Sequence, residues 1–165
     1  MKPGQFVEES FNIPEKLETK EFRLRMLTVN DVEKDYDAVM SSVDELKAIW
    51  PDSGWPVGLT LEENLIDLDW HQREFLTRRS FAYTIVSLDE TRVLGCVYIY
   101  PTRKRGYDAE IYLWAREMKL GTGLDTSLYD VVKLWLKSEW PFENVAFPGR
   151  EINWDIWNAI PDEKR

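Results

Sequence analysis

The chain has 165 residues, 44% of them apolar and 13% aromatic, which is the make-up of one compact domain with its own core and excludes a disordered tract. Acidic residues outnumber basic ones 30 to 21, a formal charge of -9, so a surface that tracks nucleic-acid phosphates or an anionic membrane is disfavoured and a cationic or amine partner is favoured. The one cysteine, Cys96, excludes an intrachain disulfide framework and a multi-cysteine metal site; within VLGCVYIY it reads as buried packing.

MKPGQFVEESFN shows neither a positive stretch followed by an apolar one nor an Arg-rich amphipathic pattern, so no export or transit signal is expected and a cytoplasmic setting follows. No apolar run reaches membrane-spanning length. Residues 1–20 read as a polar lead-in to a single domain over 1–165. FRLRML, 22–27, alternates apolar and basic residues as a half-buried strand does. Thr28 with Asp31 makes a capping-box start, and Val32, Tyr36, Val39, Met40, Val43 and Leu46 recur at helical spacing to Ile49, where Trp50-Pro51 ends the helix.

WPDSGWPVG, 50–58, is an ordered aromatic loop by its prolines, glycines and tryptophans. Thr60 with Glu63 repeats the capping signal, and Leu61, Leu65, Leu68, Phe75 and Leu76 predict a second helix ending near Arg79. FAYTIVSL, 81–88, and VLGCVYIY, 93–100, predict a hairpin around DETR, and AEIYLWA, 109–115, a further strand. From Leu124, the positions Leu128, Val131, Val132 and Trp135 trace one face of a helix that runs to SEWP, 138–141, before a last short strand in ENVAF, 143–147. There is no internal repeat. Strand, two helices, three strands, helix and strand make one α+β domain with a largely antiparallel sheet.

Gly121-Thr122-Gly123 opens the helix at Leu124. A helix N-terminus carries free N–H groups and about half a positive charge, and glycines there let a phosphate approach the backbone. A strand-to-helix turn needing positive φ reads equally from the same residues. His71, the lone histidine, is read as solvated or partly packed, and Trp50, Trp55 and Trp154 first as packing residues and second as walls of an acceptor pocket.

Around MKLGTG, 118–123, the chain resembles the GCN5-related N-acetyltransferase (GNAT) superfamily, whose Arg/Gln-x-x-Gly-x-Gly/Ala signature it matches except at Met118. LETKEFRLRMLTVNDVEKDYDAV, 17–39, is similar to the opening strand and first helix of the ribosomal-protein alanine acetyltransferase-like branch, and the order of elements from 22 to 147 also agrees. The resemblance implies a mixed, mostly antiparallel GNAT-like sheet flanked by helices. It also implies acyl-CoA, acetyl-CoA by family habit, held between splayed fourth and fifth strands.

By the same resemblance, Leu113, Trp114 and Ala115 face the pantetheine arm, and the amides of Leu120, Gly121, Thr122, Gly123 and Leu124 hold the pyrophosphate. Lys119 stands in as a flexible charge for the polar side chain lost at Met118. Glu110 is the implied base for direct attack of an amine on the thioester, with burial among aromatics raising its pKa; an exposed strand residue or an ion pair with Thr102-Arg103-Lys104-Arg105 is the other reading. The acceptor is a small amine or a peptide N-terminus, with no metal, nucleic acid or membrane partner.

Two departures matter. No tyrosine follows Tyr129, so the family's usual acid is missing, and only PGREINWDIWNAIPDEKR stands where the family has a further helix and closing strands. Either the thiolate leaves unassisted or with water, or the domain has kept the fold as a CoA-binding or protein-interaction module. INWDIWNAI, 152–160, is expected to cover the exposed sheet edge or to pack on a second subunit of a homodimer.

Overall fold

In the computed structural model, which describes residues 2–116 and 121–163, six strands form one sheet in the order of the chain. They are β1 (Lys16–Glu18), β2 (Arg23–Met26), β3 (Phe81–Val86), β4 (Val93–Pro101), β5 (Ala109–Ala115) and β6 (Val145–Ala146). Every neighbouring pair is antiparallel except β5 with β6. The expected α+β class and mostly antiparallel sheet are therefore present.

The helices α1 (Val32–Met40), α2 (Val43–Ile49) and α3 (Leu61–Leu76) lie between β2 and β3, α4 (Leu124–Glu139) between β5 and β6, and α5 (Trp154–Ala159) follows β6. All six residues of β3 are buried, as a continuous apolar run demands of a central strand covered on both faces. One face of the sheet packs on Leu128, Val132, Trp135 and Leu136 of α4, and the other on Ala38 and Val39 of α1, Leu46 of α2 and Leu68 of α3. Among the described residues, no helix is long and apolar enough to cross a membrane.

Both capping boxes form, Thr28 with Asp31 and Thr60 with Glu63. The first helical stretch, expected as one piece over 28–49, is divided into a 3-10 turn (Val29–Asp31), α1 and α2. The break falls at Ser41-Ser42, where the Ser41 hydroxyl donates to the Ala38 carbonyl and so competes with the helix ladder. Residues 1–20 are not merely a lead-in. They supply β1 and bury Val7, while Phe6 stacks on Phe142 and Phe11 packs against Trp140.

The tail covers its own chain. α5 lies against the β4–β5 connection, where Lys104 Nζ donates to the carbonyl of Ile160 at 2.8 Å and the Tyr107 and Trp157 rings meet edge to face.

Candidate functional site

β5 and β6 pair at two positions only, Ala109 with Val145 and Glu110 with Ala146. Beyond Glu110, β5 stays paired with β4 as far as Ala115, while the chain after β6 turns away through residues 148–152, closed by backbone bonds from Arg150, Glu151 and Ile152 to the Phe147 carbonyl. The two strands therefore diverge. A cleft of about 290 Å³ opens between them, walled by Ile111, Tyr112 and Leu113 on one side and by Pro148, Gly149 and Arg150 on the other.

The mouth of that cleft is set by α4. Gly121 has φ 62° and Gly123, the residue before the first turn, has φ 76°, a left-handed conformation that glycine adopts without strain. Among the described residues, a Cβ added at either would meet no atom within 4 Å. The helix brings a carboxylate to its own first turn, Asp125, and Arg150 neutralises it through two bonds of 2.9 and 2.8 Å while lying 5.2 Å over the Tyr129 ring.

A second cavity, of about 350 Å³, lies beside β5 and meets the cleft at Tyr112, which lines both. Its floor is the face of the sheet formed by Tyr98 and Tyr100 of β4 with Glu110 and Tyr112 of β5. Tyr98 stacks on Tyr100 at 6.0 Å, and Trp50 packs on both Tyr98 and Tyr112 and edge-on to Trp55, so the 50–58 loop forms an aromatic wall. Opposite stand the helices: Asn64, Asp67, Leu68 and His71 recur at the spacing of one helical face of α3, and Asp35 comes from α1.

Charge in this cavity is of one sign. Asp35, Asp67 and Glu110 line it, and among the described residues no lysine or arginine does. Burial pushes the Asp35 carboxyl up to about 6, the Asn64 amide opposing this with a 2.9 Å bond and the charges of Asp31 and Asp67 adding to it. Burial also lowers His71 to about 4, so its ring is neutral at pH 7, and its Nδ1 is buried without a hydrogen-bond partner. Glu110, half-buried, is raised by burial against hydrogen bonds from Thr102 and Tyr112 and the charge of Lys104.

The residues singled out in the sequence fall into three groups. Leu113 lines the cleft, Glu110 lines the neighbouring cavity, and Gly121, Thr122, Gly123 and Leu124 form the turn that opens α4, with the Thr122 hydroxyl accepting from the Leu124 amide at 3.3 Å. Trp114 and Ala115 are fully buried, the Trp114 indole donating to the Tyr98 hydroxyl at 3.3 Å, and neither lines the cleft. Lys119 and Leu120, like Met118, lie outside the described residues.

His71 is half-buried on the cavity wall, and Trp50 and Trp55 line the same cavity. Trp154 stacks on Tyr112 at 6.0 Å and donates to the Ile49 carbonyl at 3.2 Å, just outside it. Sequence reasoning missed Asp35, Asn64, Asp67, Tyr98, Tyr100 and Tyr112 as site residues. The available signal was Asp35 itself, a charge placed between Val32 and Val39 on the apolar face of α1.

No protein-family model matches the chain, and no curated protein does. Solved structures do. The architecture is that of the GNAT acetyltransferases, a mostly antiparallel sheet ending in one parallel strand pair. The ribosomal-protein-S5-alanine acetyltransferase of Vibrio fischeri is 15% identical, with a TM-score of 0.58 over 73% of this chain and 66% of that one. RimL, the ribosomal L7/L12 alpha-N-protein acetyltransferase, is 15% identical with a TM-score of 0.58 over 79% and 69% of the two chains. The microcin C7 self immunity acetyltransferase MccE, in complex with acetyl-CoA and AMP, is 14% identical with a TM-score of 0.57 over 76% and 69%. At these identities the likeness establishes the fold, and the chain spans about two-thirds of the length of these relatives.

Proposed function

We propose that the chain is an acyl-CoA-dependent N-acyltransferase, with acetyl-CoA as co-substrate and a primary amine, on a small molecule or a peptide N-terminus, as acceptor. The observation that carries this is the two-position pairing of β5 with β6, which leaves an open edge leading to a glycine-lined helix N-terminus. Structures of this fold hold acetyl-CoA in MccE and CoA in RimL, and the residues here fit such a group: among the described residues the Cβ positions of Gly121 and Gly123 are open, and the cleft is lined mainly by apolar side chains with Arg150 as its one cation.

When bound, the thioester supplies an acyl carbon open to attack by nitrogen. The edge of β5 from Ile111 to Ala115 then orients the pantetheine, and the amides of Gly121 to Leu124 hold the pyrophosphate. Glu110 stands where cavity and cleft meet and takes the proton of the acceptor ammonium, so that the free amine forms the N–C bond as the C–S bond breaks. The nitrogen's second proton ends on the departing sulfur. Tyr112, whose hydroxyl donates to Glu110 at 3.3 Å, is the tyrosine nearest that point and relays it.

Titrating acetyl-CoA against tryptophan fluorescence tests the cleft, because Trp154 is stacked on Tyr112. Saturable quenching and amine-dependent thiol release are expected, with Glu110→Gln lowering kcat by about 100-fold while leaving acetyl-CoA affinity unchanged. No response at millimolar acetyl-CoA overturns the proposal. Binding without thiol release over a panel of amines instead supports the other reading, a CoA-binding module.

A further inference from the structure

The acceptor cavity has two negative poles. Asp35, on α1, exerts its charge on Cys96 and Tyr98 of β4, whereas Glu110 exerts its charge on Tyr100 and on Tyr112. Cys96 to Tyr100 is four residues of strand, about 13 Å. Tyr98 lies at the Asp35 end and Tyr100, paired with Glu110 across the strands, at the other, so the poles are about 7 to 13 Å apart along an aromatic floor, with Trp50 and Trp55 also lining the cavity. Asp67 on α3 reinforces the far pole, and its charge is one of the causes that raise Asp35.

A monoamine leaves one pole unmatched. The reacting nitrogen is placed beside Glu110 and Tyr112, because Tyr112 lines both the cavity and the cleft. Asp35 is 4% exposed and, among the described residues, its carboxylate is met by the neutral Asn64 amide, so a cation at the far end would meet a buried carboxylate among faces of aromatic rings. The stretch between the poles offers rings and no further charge, which suits a flexible methylene chain.

We propose that the acceptor is an alkyl diamine, or an alkylamine with a second cationic nitrogen, whose distal ammonium is bound by Asp35 and Asp67 while its proximal amine is acylated at Glu110. Which end reacts rests on the transferase reading; the binding of a doubly cationic alkyl chain does not. Asp35 is thus a specificity residue, remote from the transfer itself.

The test compares hexamethylenediamine with hexylamine and with a neutral-side-chain tripeptide bearing a free N-terminus. Calorimetric binding to the protein without acetyl-CoA should favour the diamine by at least about tenfold over hexylamine, with a similar ratio in kcat/KM for acetylation. Asp35→Asn, which keeps the bond with Asn64, should bring the diamine down to hexylamine and leave hexylamine unchanged; Asp67→Asn, at an exposed position, should reduce the ratio in part and guards against a folding defect in the first variant. Equal binding of the two amines, a preference for the tripeptide, or a ratio unmoved by both variants overturns the diamine proposal. Acetylation of hexylamine alone leaves the transferase reading standing, whereas diamine binding without any acyl transfer sinks that reading and keeps this one.

Discussion

Asp35 is held in a state that water would not choose for it. An ordinary aspartate titrates near 3.8, and burial pushes this one up to about 6. The folded state therefore binds that proton more tightly than the unfolded state, and stability falls as pH rises through the interval from 3.8 to about 6 and stays lower above it. Asp35→Asn removes this dependence. The variant should match the wild type in thermal unfolding near pH 4 and exceed it at pH 7, by an amount on the order of 2 kcal/mol. A variant equally or less stable at pH 7 would show that Asp35 is charged at little cost and that its bond with Asn64 holds α1 to α3. Glu110 was singled out through the family resemblance, and the structure places it on the cavity wall. Asp67 and His71 were not legible as site residues, since their shared face on α3 matters only once β4 lies opposite.

Elements were readable in proportion to the apolar signal they carry. β5 has the expected bounds because Ile111, Tyr112, Leu113 and Trp114 form an apolar run and five of its seven residues are buried, and α4 begins where the glycines end. β1 was invisible: Lys-Leu-Glu is held by backbone pairing to β2 at a sheet edge, which needs no apolar pattern. The divergence of β5 from β6 was equally hidden, being a property of two segments thirty and more residues apart, and was supplied by family resemblance alone. Its far wall hangs on Gly149, exposed, with φ 76°, where a Cβ would stand 2.5 Å from Trp154 Nε1. Gly149→Ala should thus push the indole off Tyr112, costing roughly 1–2 kcal/mol of stability through the left-handed backbone and shifting tryptophan emission. Acetyl-CoA KM should rise with far-UV dichroism unchanged. An unaltered emission spectrum and KM would detach Trp154 from the cleft.

At the scale of the molecule, the proposed reaction requires one domain to bring together two partners of opposite sign, acetyl-CoA and an amine, under a formal charge of -9. Acetyl-CoA carries phosphates and is repelled at long range, so its capture depends on short-range donors, the first amides of α4, and on the Arg150–Asp125 pair that cancels the one carboxylate of the first turn. A cationic amine is drawn in by the same field and focused into a cavity with Asp35, Asp67 and Glu110 on its walls. Salt screens both effects, because the Debye length shrinks from about 20 Å to about 6 Å between 0.02 M and 0.3 M ionic strength. The two Michaelis constants should accordingly move in opposite directions over that range, the amine's rising and acetyl-CoA's falling, each by a few-fold, while kcat at saturation stays level. If both constants rise together, the pyrophosphate is held by a strong positive patch rather than by backbone amides. Should neither move, the global charge has no part in recognition and the cavity carboxylates act at contact distance alone.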